Sequence, residues 1–138
     1  YNYRITDIQC ALGISQLKRL DSFVKRRREL VKRYQAAFAD TEDVICPMQQ
    51  EGCNSSWHLY VIQVKNRKEK FDQLRSAGIG VNVHYIPVYK HPYYQEHGYQ
   101  NVCCPNAEKL YEHIISLPLY ADLTDEQQDY VIEQVKKG

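Results

Sequence analysis

"WHLYVIQVKNRKEKFDQLRSAGIGVNVHYIP", residues 57–87, decides how this chain folds. Its first eight residues are β-branched and aromatic with little charge, which predicts a strand over 57–64. Asn66 with Glu69 then opens a helix, "RKEKFDQLRSA", and Gly78 stands where a left-handed residue ends one. Beyond it Val81, Val83 and Tyr85 alternate with Asn82 and His84, a second strand with two unlike faces. Pro87 stops that ladder. Upstream, "DVICP" (43–47) is a short strand of its own. Two consecutive strands before a crossover helix predict an α/β domain of the α+β layer kind. Its sheet is small, mixed or antiparallel, with helices on one face.

The flanks are helical. "TDIQ" (6–9) is a capping box, and Ile8, Leu12, Leu17, Leu20, Val24, Val31, Tyr34 and Phe38 follow at steps near three, four or seven. With no proline between them, they predict one long helix over 6–38. Such a helix would run about 45 Å, more than a domain of this size covers along one face. It bends, or its start, "IQCALGIS", packs on something else. The run Lys25–Arg28, "KRRR", occupies most sides of a turn and reads as a solvated face. Downstream come a helical turn near "PYYQEHG" and a helix over 105–113 with proline at its start. A strand in "IISLPLY" (114–120) and a last helix boxed by Thr124 and Gln127 complete the order.

Composition excludes several classes. The net charge is +1 over 138 residues, so no global field draws nucleic acid. No apolar run reaches the roughly 20 residues of a membrane span. Five cysteines at irregular spacing point to free thiols in a reducing cytoplasm, and the histidines lack metal-ligand spacing. The chain starts "YNYRITD" without Met and enters a helix at once, which suggests a piece of a longer protein. Gly78-Ile-Gly80 follows a helix and precedes a strand, the reverse of a dinucleotide turn.

Two places carry chemistry. Asn2 and Arg4 lie just before a helix N-cap, and an amide with a guanidinium there suits a phosphate, though a plain terminus reads the same way. The second is "GIGVNVHYIPVYKHPYY" (78–94), where an imidazole, stacking faces and a cation converge at a strand end. Its residues leave two readings open, an aromatic plug or the lip of a sugar or nucleotide site. His58, on the other strand, reads as structural.

"YNYRITDIQCALGISQLKRLDSFVKRRREL" (1–30), "SWHLYVIQV" (56–64), "GIGVNVHYIPVYKHPYY" (78–94) and "ISLPLYADLTDEQQDYVIEQV" (115–135) together resemble successive signatures of the DegT/StrS sugar aminotransferases. These are fold-type I enzymes dependent on pyridoxal phosphate. Within them, "VHYIPVY" with "PYY" most resembles the transaminases of pseudaminic-acid synthesis. The resemblance covers essentially the whole chain, which would be the C-terminal small domain of a longer protein. Residues 1–38 would form the interdomain helix and 39–138 the sheet subdomain.

The resemblance implies a cytoplasmic homodimer that moves an amino group from glutamate to a 4-keto nucleotide sugar for surface-glycan synthesis. Asn2 would reach the cofactor phosphate of the neighbouring subunit, with Arg4 close by. His84 and Tyr85 would face the sugar, and Pro87, Val88, Tyr89 and Lys90 would line the nucleotide-sugar channel. The Schiff-base lysine would lie upstream, leaving no catalytic residue in this stretch. A family variant with histidine for that lysine, a sugar dehydratase, fits the same motifs. A non-catalytic binding module that uses the aromatic lip is the alternative of another class.

Overall fold

A computed structural model describes residues 3–137. Helices α1 (Asp7–Leu17) and α2 (Leu20–Phe38) lead into strands β1 (Val44–Ile45) and β2 (Tyr60–Val64) and helix α3 (Arg67–Ser76). A 3₁₀ turn (Val88–Lys90), short α4 (Pro92–Glu96), α5 (Pro105–His113), β3 (Ile114–Leu117) and α6 (Asp125–Lys136) follow. The three strands form one antiparallel sheet in the order β1-β2-β3, so the expected small α/β domain is present.

The register explains the core. Tyr60 pairs with Leu117 and Ile62 with Ile115, and alternation turns all four side chains to one face. There they meet Leu30, Val31, Tyr34 and Phe38 of α2, Leu74 of α3, and Val131 and Val135 of α6. Tyr34 is fully buried, stacks on Tyr60 at 4.9 Å and on Phe38 at 5.9 Å, and donates its hydroxyl to Pro118 O at 3.0 Å. Gln128, also fully buried, ties α6 to α2. Its amide donates to Leu30 O at 2.7 Å, and its oxygen accepts from Arg33 Nε at 2.9 Å. Ile114 and Ser116 point to the opposite face, beside Val61 and Gln63.

Tyr60 is one of two exceptions to good pairing among the described residues, Arg67 Nε being the other. The buried Tyr60 hydroxyl makes no hydrogen bond of ordinary geometry, with only the Cys46 thiol standing beside it. Burial therefore pushes its pKa far up. Tyr60→Phe removes a desolvated polar atom without orphaning a partner, so it leaves the urea midpoint unchanged or raises it. A drop of more than about 1 kcal/mol would show that the thiol contact stabilises the fold.

Several sequence expectations change. The single helix over 6–38 is two helices. At Lys18 and Arg19 the ladder tightens, with Arg19 N–H reaching Gln16 O, and Ser22 Oγ takes Arg19 O at 2.7 Å. The strand over 57–64 begins only at Tyr60, because Trp57 has φ of 51° and turns the chain. Residues 81–86 form no ladder strand, only one antiparallel bridge, Asn82 to Ser116. Asn82 Oδ1 accepts the next N–H, that of Val83, at 2.8 Å, a local bond that competes with strand pairing.

The basic run is not a solvated face. Arg26 bonds Leu123 O and Asp125, each at 2.7 Å, and holds the start of α6. Arg27 spans Trp57 O and His58 O, and Arg28 takes Ser55 O at 3.0 Å. The cap expected of Asn66 is also missing, since its side chain makes no cap bond at the start of α3. The other helix-end signals stand. Both capping boxes are made, and Gly78 has φ of 76°. Around it Ile79 N–H reaches Leu74 O and Gly78 N–H reaches Arg75 O, the Schellman pair.

Candidate functional site

The stretch from His84 to Lys90 leaves the sheet at the edge of β3. The bridge between Asn82 and Ser116 uses both backbone groups of each residue, with bonds of 3.3 and 2.8 Å. It places His84 against the non-core face of β3. There His84 Nδ1 lies 2.9 Å from Ser116 Oγ. Ser116 is buried at 4% exposure and is the lone polar residue of that strand. The Tyr85 ring meets the imidazole edge-on at 4.6 Å, yet Tyr85 is 71% exposed. A pinned imidazole beside an open phenol can hydrogen-bond and stack on a ligand.

Pro87 is buried and anchors the chain before the 3₁₀ turn, whereas Val88 points outward at 59% exposure. Tyr89 and Lys90 converge on one carboxylate. Tyr89 donates to Glu108 Oε1 at 2.8 Å, and Lys90 Nζ contacts Oε2 at 2.6 Å. Tyr89 also accepts from Cys104 N–H at 3.1 Å, at the cap of α5. The Lys90 bond, then that of Tyr89, holds the Glu108 carboxyl below its usual range, and Glu108 raises Lys90 in turn. All of these groups are open to water, so the network sets side-chain direction more than stability. Lys90 thus projects along the lip as one half of an ion pair.

The sequence therefore places His84 and Tyr85 together, and Tyr89 with Lys90. It does not single out Ser116 or Glu108, which hold them. A serine inside "IISL" and an acid in the first turn of a helix were the available signals.

Asn2 lies outside the described residues. Arg4 is exposed two positions before Thr6, the cap of α1. The N-terminus of α1 adds little for an anion. Thr6 and Gln9 occupy each other's backbone N–H, and Asp7 places a carboxylate in the first turn. A guanidinium fork of the kind Arg4 carries fits the edge of a phosphate.

No residue of α1 is buried. Tyr3, Ile5, Ile8, Leu12, Ile14 and Leu17 are all more than half exposed. Among the lysines, Lys70 is lowered by desolvation, a property that could mark a reactive amine. Its ammonium instead donates to Val135 O at 3.2 Å and to Lys137 O, closing the end of α6. Among the described residues no group of three or more His, Cys, Asp or Glu could hold a metal ion. No helix there is long and apolar enough to cross a membrane.

Comparison with known proteins covers the whole chain. The model of the DegT/DnrJ/EryC1/StrS aminotransferase family matches residues 1–136. A Bacillus subtilis spore coat polysaccharide biosynthesis protein, SpsC, is 43% identical, over 99% of this chain and 37% of its own length. The UDP-4-amino-4,6-dideoxy-N-acetyl-beta-L-altrosamine transaminase of Campylobacter jejuni is 33% identical, over 100% of this chain and 40% of its own. Helicobacter pylori PseC, an aminotransferase of pseudoaminic acid biosynthesis, superimposes with a TM-score of 0.92 at 32% identity. That match takes in 99% of this chain and 38% of PseC. The PLP form of the Streptococcus pneumoniae putative sugar aminotransferase Spr1654 gives 0.88 at 36% identity, over 96% of this chain and 35% of that one. The chain thus spans about two-fifths of the length of the curated relatives it matches.

Proposed function

This chain belongs to the DegT/DnrJ/EryC1/StrS aminotransferase family, and from that we propose that it is the small domain of a pyridoxal-phosphate-dependent sugar aminotransferase. The parent protein transfers an amino group from glutamate to a 4-keto nucleotide sugar destined for a surface glycan. It works as a cytoplasmic homodimer. Residues 1–38 run between domains as two helices, and 39–138 form the sheet subdomain. The observation that carries the reading is the pinned His84 beside exposed Tyr85, in a chain whose fold matches sugar aminotransferases along its length.

Each candidate residue takes a limited role. Asn2 and Arg4 hold the cofactor phosphate through amide and guanidinium hydrogen bonds. His84 and Tyr85 contact the sugar, and Pro87 to Lys90 edge the channel for its nucleotide. When bound, pyridoxal phosphate supplies the electron sink for amino transfer. The bare apolar side of α1 supports a place against the rest of the parent chain. In the full-length protein, glutamate shifts the cofactor absorbance, and a 4-keto nucleotide sugar reverses the shift. Cofactor that stays bound with no response to glutamate would favour the dehydratase reading.

A further inference from the structure

The contact between Ser116 and His84 can be given a direction. Both backbone groups of Ser116 are engaged by Asn82. Its hydroxyl has one partner among the described residues, His84 Nδ1 at 2.9 Å, and the residue is 4% exposed. A hydroxyl carries one proton. If it accepted from an Nδ1–H, that proton would be buried without an acceptor, the costly kind of unmade bond. If it donates to Nδ1, only lone pairs go unused. The donating arrangement is favoured, so Nδ1 is the acceptor and the ring proton sits on Nε2.

We propose that Ser116 is a positioning residue that locks His84 in its Nε2–H tautomer, making the lip a hydrogen-bond donor that selects an oxygen acceptor on the sugar. Nε2 has no hydrogen bond to the described residues, so its donor is available to a ligand. The Tyr85 ring, edge-on at 4.6 Å, limits the imidazole's rotation from the other side. A carbonyl, hydroxyl or ring oxygen fits such a donor, whereas an ammonium or amide N–H at that point meets another N–H. The ligand's identity rests on the aminotransferase reading; the tautomer does not.

The test uses the full-length protein with ¹⁵N-labelled histidine, its His84 resonances assigned by loss in His84→Gln. A protonated Nε2 with a hydrogen-bonded, unprotonated Nδ1 is expected. Ser116→Ala should shift the Nδ1 resonance toward the exchanging-tautomer average and raise the KM for the keto sugar nucleotide about tenfold, the worth of one hydrogen bond. Ser116→Thr, which keeps the hydroxyl, should restore both. A wild-type Nδ1–H tautomer would overturn the proposal, as would Ser116→Ala resonances unmoved from wild type. A locked tautomer with unchanged KM would overturn its link to the sugar. The glutamate-driven absorbance change is read separately. Its absence would sink the aminotransferase reading while leaving the tautomer result intact.

Discussion

Tyr34→Ala should cost about 3–5 kcal/mol of stability, the range for deleting a large buried aromatic. Tyr34 is fully enclosed between α2 and the sheet, so no surface chain can swing in to fill the space. The truncation removes two ring contacts, to Tyr60 and Phe38, and leaves Pro118 O without its donor. Urea unfolding of the chain reads the loss, and Tyr34→Phe separates its parts. Keeping the ring but dropping the hydroxyl should cost about 1 kcal/mol. If the two variants were equally destabilised, the hydroxyl and not the packing would govern the site. Tyr60→Phe, a few ångströms away, should cost nothing, because that hydroxyl has no ordinary partner to orphan.

The second large effect is chemical. His84→Ala in the full-length protein should lower kcat/KM for the keto sugar nucleotide on the order of 100-fold, as loss of a donor aimed at substrate does. The same variant removes the ring that Tyr85 packs against, so part of the effect belongs to Tyr85. His84→Gln retains an amide donor and should recover some of the loss. Stopped-flow measurement of each half-reaction locates the defect. An effect of equal size on the glutamate half would place His84 outside the sugar site.

Much of this architecture is legible in the residues because it rests on local rules. Both capping boxes, the glycine after α3, and α5 opening on Pro105 stand where composition puts them. The alternation in "YVIQV" gives β2 and its inward face. Strand pairing and helix continuity follow other rules. Val81, Val83 and Tyr85 alternate like a strand, but Asn82 uses its side chain on the next N–H, and the ladder ends after one bridge. The apolar steps from Ile8 to Phe38 carry no mark of the bend at Lys18 and Arg19, which depends on carbonyl competition within one turn. The lip is similarly half legible. Its aromatic and imidazole content marks His84 to Lys90, while Ser116 and Glu108 are brought to it only by the fold.

The three consecutive arginines of α2 have a consequence for exchangeability. Lysine in place of Arg27 or Arg28 would leave the chain's charge untouched. At Arg27 one nitrogen, Nη1, meets both Trp57 O and His58 O, a contact an ammonium can keep. A single ammonium, however, cannot reproduce the fork with which Arg28 Nε and Nη2 reach Ser55 O and Asn54 O. At Arg28 the turn before β2 is thus held by the shape of the side chain, not by its sign. An inventory that pools Lys with Arg would score Arg28→Lys as silent, although it is the exchange that breaks a fork at the entry to the sheet.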